Sequence, residues 1–471
     1  MAEQRLNRLA SPQLTLQALL NRVRKGLEEV CKGELPSSDM TTLLLNALEM
    51  TSVIAPTMTT NNHEAFHRLS TSRLLAEAAL DRAHDALYST TYQKVTREAR
   101  RFFGVASLLV TLILALQALL NSPGRMDTVM LREALRSLDS AMIMVGVRQC
   151  EWGKDGGVGL VHTLVTALEE AIRSEESLTL RTDSHPEERT PVCFHTDLWE
   201  APRLYHPIPQ HTSPSLGLFL EIIRGRGGGK RDDGDGDGFP TPCIFHGMLE
   251  GWPALTRWCD PVYWSTVAGL RTVPMEVGAR YTDDQWTQKL VTFDSFLQDH
   301  WAPLSRRTPE ATTEGAWYLA QYDLVDQIPR LAQDIPTPDV CICAATSIQE
   351  DGSSGLKGNG IRRNVWLGPG GTISPLHHDG PLHNLFIQVM GYKYVRLYGP
   401  EEAVYPHEAS DMLGNTSRVD VEEPDEEEFP HFATATYVDG IVGPGDILYI
   451  PPKWWHYVRS LTPSASVSYW F

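Results

Sequence analysis

Cysteine is scarce and unpatterned in this chain. Seven occur in 471 residues (Cys31, Cys150, Cys193, Cys243, Cys259, Cys341, Cys343). None sits in a C-x₂-C pair, so neither a disulfide scaffold nor a common zinc fold is indicated, and a reducing compartment is expected. Cys341-x-Cys343 reads as part of an ordinary strand. Positive charge is also short: 41 Lys and Arg stand against 59 Asp and Glu, a net charge of −18. Nucleic-acid backbones demand clustered Lys and Arg, so direct nucleic-acid binding is not expected, and a basic protein is the better partner. There is no fixed-period repeat and no collagen-like glycine period. The opening MAEQRLNRLASPQLTLQALLNRV lacks the h-region of a signal peptide, so an intracellular site, nucleus or cytoplasm, is expected. One long uncharged run stands out, the 19 residues Phe102–Leu120, close to a membrane span in length. It contains Ser107, Thr111 and Gln117 between amphipathic neighbours, which favours the buried helix of a helical domain over a membrane segment.

The length suggests two or three domains, and 42 % hydrophobic residues can fill real cores. Residues 1–182 read as a helical N-terminal domain. Leu16, Leu20, Val23, Leu27 and Val30 recur at helical spacing, as do Ala76, Leu80, Ala83 and Leu87, and Met126–Val145 and Val158–Ile172 continue the pattern. Residues 183–240 read as linker and insertion. Ser174–Pro191 is polar, and Arg224–Gly238 sets four basic residues ahead of four acidic ones with no apolar side chain. A docking loop and a disordered surface insertion both fit that tract, and composition favours the second. Residues 241–471 change character: PCIFHGM, TVPMEVGARY, VWLGPGGTIS, NLFIQVMGYKYVRLYGP, GDILYIP and ASVSYWF are β-rich runs bounded by turn residues. The fold class is therefore α+β, an all-α domain followed by a β-sandwich or open barrel of the double-stranded β-helix type.

The chemistry concentrates in the second half. In SPLHHDG an extended chain points residues i and i+2 the same way, so His377 and Asp379 present an imidazole and a carboxylate together while His378 faces away. GDILYIPPKWWHYV supplies a third donor, His456, after a strand and a Pro-Pro turn. Two His and one carboxylate on one face of ferrous iron leave positions open for a cosubstrate and O₂. An H-x-D tripeptide alone is weak, because such histidines are mostly turn or core residues. In LFIQVMGYKYVRLY one face reads Leu385, Ile387, Val389, Gly391, Lys393, Val395, Leu397. A lysine on an apolar strand face is costly unless its ammonium meets an anion. Either a bulge at Gly391 turns Lys393 outward, or Lys393 points inward to hold a dicarboxylate.

These stretches together resemble the jumonji C (JmjC) family of iron(II)- and 2-oxoglutarate-dependent oxygenases. The likeness runs from about Pro242 to the last residue and rests on RTVPMEVGARYTDDQW, WYLAQYDLVDQIP, WLGPGGTISPLHHD, QVMGYKYVRLYGP, VDVEEPD and PGDILYIPPKWWHYVRSL. The resemblance implies a cupin-like jelly roll at 241–471, iron on His377, Asp379 and His456, and O₂ with 2-oxoglutarate as cosubstrates. It assigns 2-oxoglutarate to Tyr318, Trp366, Ser374, Asn384, Lys393 and Trp470, and substrate contacts to Glu276, Tyr281 and Trp286. The expected partner is a basic protein or peptide carrying arginine or methyl-lysine, histone or ribosomal. Arginyl hydroxylation is the favoured outcome, because a carboxylate at Glu276 suits a guanidinium. N-methyl-lysine demethylation is the alternative, with Tyr281 and Trp286 as a cage, and a non-enzymatic binding module is a third reading. The helical half is expected to serve interaction or dimerisation, a homodimer being the candidate assembly.

Overall fold

The computed structural model describes residues 2–33, 38–52, 62–89, 94–121, 125–146, 158–180, 201–225, 240–278, 286–301, 316–350, 360–408 and 413–471, together with 35, 280 and 282. The chain forms two compact units, residues 1–189 with Leu270–Thr272, and residues 190–269 with 273–471. In the first, six long helices are described: α1 (Ala2–Gly33), α2 (Asp39–Ser52), α3 (Asn62–Tyr88), α4 (Arg97–Leu120), α5 (Thr128–Val145) and α6 (Val158–Leu180). The periodic apolar positions of α1 and α3 face inward: Leu16, Leu20, Val23, Leu27, Ala76 and Ala83 are all buried. α4 starts at Thr96, whose side chain accepts from the Ala99 N–H, and is buried almost throughout from Phe102 to Leu120. By length and composition it qualifies as a membrane span, but 94 % of its apolar window is buried in the helical core. Two of its polar side chains find partners there, the Thr111 hydroxyl donating to Ser107 O (2.9 Å) and the Gln117 amide nitrogen to Ser70 Oγ (3.2 Å). Arg271 is buried in the same unit, its Nε donating to Asp139 (3.0 Å).

The second unit is built on two sheets. The strands are β1 (Gln210–Thr212), β2 (Cys243–His246), β3 (Thr272–Val277), β4 (Thr287–Thr292), β5 (Trp317–Tyr322), β6 (Arg362–Gly368), β7 (Ile373–His377), β8 (Asn384–Met390), β9 (Lys393–Tyr398), β10 (Tyr437–Val442), β11 (Ile447–Ile450), β12 (Trp455–Ser460) and β13 (Ser464–Trp470). One sheet runs β1-β2-β11-β8-β13-β6-β5-β3-β4 and the other β10-β9-β12-β7. Between them lies an apolar layer that includes Ile244, Phe386, Val395, Leu397, Leu448 and Val458. Beyond the larger sheet a second core gathers Leu385, Ile387, Val389, Val467 and Tyr469. β8, buried at every residue, thus serves two cores by alternation. This is the cupin-like sandwich that the β-rich runs imply.

Three local readings change. The apolar face drawn through Gly391 is not one strand face, because β8 and β9 belong to different sheets and the chain reverses at Gly391 (φ +73°). Lys393 emerges from that reversal facing the layer between the sheets and is 1 % exposed. Cys341 and Cys343 lie on a helix, Asp339–Glu350, not a strand. Buried Cys341, Ala344 and Ala345 follow the i, i+3, i+4 spacing of a helical face. Within 183–240, read as linker and insertion, residues 201–225 carry β1, paired parallel to β2, and a helix at Leu216–Ile223 that buries Phe219, Ile222 and Ile223. The insertion from 226 to 238 lies outside the described residues.

A Cβ at residue 391 would sit 2.1 Å from Pro463 O, in a backbone conformation L residues avoid. Gly391→Ala is expected to destabilise the β-rich unit by about 3 kcal/mol, lowering its calorimetric unfolding temperature by several degrees. An unchanged transition would contradict this account of the turn.

Candidate metal centre

β7 and β12 run antiparallel, and their register places His456 directly opposite His377, with ring centroids 4.2 Å apart. Asp379 follows two residues beyond the end of β7, so it reaches the same spot from a turn and not from the strand itself. His456 Nε2 lies 3.6 Å from Asp379 Oδ2, and ligand atoms of His377, Asp379 and His456 all fall within 4.8 Å of one another. Each imidazole is oriented by its other nitrogen: His377 Nδ1–H donates to Pro375 O (2.7 Å) and His456 Nδ1–H to Trp454 O (3.1 Å). Both Nε2 lone pairs are thereby left for a cation. Burial and the neighbouring His456 push the His377 imidazole down to about 4, with Asp379 opposing. Burial alone would raise Asp379, but both histidines and hydrogen bonds from Trp470 and Asn384 hold it below the usual carboxylate range. A neutral imidazole facing a carboxylate suits a divalent metal.

Backbone contacts fix both ligand-bearing turns. Lys453, in the left-handed region (φ +63°), donates its N–H to Gly380 O (2.8 Å), tying the turn before His456 to the one after Asp379. The outer edge of β7 is covered by residues 415–417, where Ser417 N–H donates to Leu376 O (2.8 Å) and His378 N–H to Asn415 O (3.0 Å). His378 is turned aside. Its ring meets Trp455 edge-on at 4.6 Å, and its Nδ1 accepts from the Gly380 N–H (2.9 Å).

The same cavity is lined by Tyr318, Trp366, Ser374, Asn384, Lys393 and Trp470. Asn384 Nδ2 donates to Asp379 (2.8 Å), and Trp366 Nε1 to Ser468 Oγ (3.0 Å). Lys393 Nζ donates to Tyr318 Oη (3.2 Å) and lies over the Tyr318 and Phe386 rings. Among the described residues no carboxylate pairs with it. Burial drives its ammonium down to about 7. Phe386, Ile450, Val458 and Ser468 complete the lining. Parity places Phe386 with Asn384 and Val458 with His456, but nothing in an apolar residue separates site wall from core.

One strand in from the edge of the larger sheet, Glu276 pairs in register with Tyr318. Burial pushes its carboxyl up to about 7, partly opposed by the Trp286 indole, which donates to it at 3.3 Å. Tyr281 lies outside the described residues.

A buried ammonium whose described partner is a tyrosine hydroxyl would gain from an anion. An anion bound at Lys393 would keep it protonated, whereas burial alone lets the proton go near pH 7. Binding above pH 7 therefore takes up a proton, and 2-oxoglutarate affinity should fall toward a limit of about tenfold per pH unit. Isothermal titration with Mn(II) as the metal checks this, and an affinity flat from pH 6 to 9 contradicts it. Lys393→Met should weaken binding about 10- to 100-fold while maintaining or raising thermal stability.

Known proteins resemble this chain along most of its length. The cupin-like domain family matches residues 239–471. Lysine-specific demethylase 8 of Danio rerio is 37 % identical over 402 residues, 84 % of this chain and 86 % of the relative. Jumonji C domain-containing protein 5 of Drosophila melanogaster is 32 % identical over 401 residues, again 84 % and 86 %. Lysine-specific demethylase JMJ30 of Arabidopsis thaliana is 44 % identical over 233 residues, 49 % of this chain and 50 % of the relative. With two such relatives matched across both of its halves, the chain belongs to the jumonji C family of cupin-like, 2-oxoglutarate-dependent oxygenases.

Proposed function

We propose that this chain oxidises side chains of a basic protein, using iron(II) and 2-oxoglutarate, with N-methyl-lysine demethylation as the principal outcome. The names of its relatives support that outcome. One observation carries the oxygenase reading. Two imidazoles with free Nε2 atoms and a carboxylate converge within 4.8 Å in the same cavity as the Lys393 ammonium, which pairs with no carboxylate among the described residues. Bound to His377, Asp379 and His456, ferrous iron would supply the oxidising chemistry with O₂ and 2-oxoglutarate. The residues contribute placement. Lys393 and Tyr318 hold the far carboxylate of the keto acid, Asn384 and Trp470 keep Asp379 ionised and aimed, and Trp366, Phe386 and Ile450 exclude water. Glu276 and Trp286 would hold the cationic side chain at the cavity's mouth. Hydroxylation of an N-methyl carbon gives a hemiaminal, which releases formaldehyde and leaves the demethylated amine.

Glu276 favours a second reading, arginyl hydroxylation. Its half-buried carboxyl has no cationic partner among the described residues, and an arriving guanidinium would ionise it and pair with both oxygens. The two readings separate by mass. Incubating candidate basic peptides with the protein, iron(II) and 2-oxoglutarate should give loss of a methyl group with formaldehyde for demethylation. Gain of one oxygen on arginine selects hydroxylation, and succinate formation without any peptide change contradicts both. His377→Ala and Asp379→Ala should each reduce turnover by at least about 10³-fold, while His378→Ala, measured below its unfolding temperature, should retain most of it. Equal loss in all three would contradict the ligand assignment.

A further inference from the structure

The four-stranded sheet has a second face. Ile373 and Pro375 of β7 and Tyr457 of β12 point away from the metal centre, into a separate cavity of about 320 Å³ bordered by Arg280, Arg418, Asp420 and Glu428. At the share of liquid volume a water occupies, about 30 Å³, this space has room for a large side chain. Tyr457 is 2 % exposed and its hydroxyl oxygen has no hydrogen-bond partner. An oxygen buried in that way lacks a donor.

The cavity is bordered by both ends, Asp420 and Glu428, of the most acidic stretch of the chain, seven carboxylates in the nine residues 420–428. Arginines answer three of them: Arg280 pairs with Asp420 at 2.6 Å, Arg459 with Glu422 at 2.7 Å and Arg418 with Glu428 at 3.4 Å. The loop is held by its own aspartates, Asp420 accepting from the Glu422 N–H (3.1 Å) and Asp425 from the Glu427 N–H (2.9 Å). Glu423, Glu426 and Glu427 are exposed, and no cation is paired with them among the described residues. The negative potential of this rim is therefore not neutralised locally.

We propose that the cavity and its acidic rim form a second, non-catalytic site that holds a basic segment of protein. One arginine or lysine enters the cavity and donates to the Tyr457 hydroxyl, while neighbouring basic residues lie along Glu423, Glu426 and Glu427. The site lies within reach of a peptide already held at the metal centre. Arg280 is four residues from Glu276, and four extended residues span at most about 14 Å. Identifying the segment as one flanking the oxidised residue rests on the oxygenase reading; the binding itself does not.

The test uses the full chain carrying His377→Ala and Asp379→Ala, so that no turnover is needed. A fluorescein-labelled peptide of alternating arginine and glycine is titrated and followed by anisotropy. Glu423→Gln, Glu426→Gln and Glu427→Gln together should weaken binding about tenfold and flatten its salt dependence. The same loss of charge at Glu221, Glu250 and Asp339, exposed residues on segments packed in the core beyond the larger sheet, should change it less than about twofold, because distant surface charges are screened. Tyr457→Phe should weaken binding at least about threefold without lowering the unfolding temperature. Equal losses in the two triple variants overturn the rim, and unchanged binding in Tyr457→Phe overturns the cavity. Peptide binding with no catalysis by the unsubstituted protein would leave this site standing and remove the oxygenase reading.

Discussion

The antiparallel pairing of β7 with β12 is the constraint on which the rest depends. A metal centre of this kind needs donors from distant parts of the chain held within an ångström or so of one geometry. Register does that here: it sets His456 across from His377, and short backbone hydrogen bonds aim both rings. A one-residue slip would turn every side chain of β12 to the other face, sending His456 outward and Tyr457 into the site. On its other side β12 is paired residue by residue with β9, from Trp455 opposite Tyr398 to Ser460 opposite Lys393, which resists that slip.

Lys393 shows the cost of such a site. Its ammonium is removed from water and given only a tyrosine hydroxyl and two ring faces. That burial costs stability, and in the proposed function a dicarboxylate would offset the cost. Glu276 is the complementary case, a carboxyl that burial pushes up to about 7.

Much of this was legible in the sequence, for uneven reasons. His377 and Asp379 were visible from their spacing, although Asp379 acts from a turn beyond the strand end. His456 was visible as the histidine after a strand and a Pro-Pro turn. Lys393 was found by counting along one strand face, but the face breaks at Gly391, and the lysine points inward because the reversal carries it into the other sheet. Cys341 lies on a helix that the sequence leaves ambiguous, because a short apolar run has no period that separates strand from helix. The helix Leu216–Ile223 was hidden between polar tracts, and Phe386, Ile450 and Val458 look the same whether they wall a site or fill a core. The cavity beside residues 420–428 leaves no mark in the sequence, since Tyr457's missing partner is a fact of three dimensions.

The account stands on one ferrous ion being held by His377, Asp379 and His456 beside a 2-oxoglutarate fixed by Lys393. Anaerobic titration of iron(II) and 2-oxoglutarate into the protein, followed by visible absorption, tests it most directly. A charge-transfer band should grow with one equivalent of iron, require 2-oxoglutarate, and vanish in His456→Ala. Failure of the band to form in the unsubstituted protein, or its persistence at full strength in His456→Ala, would contradict it.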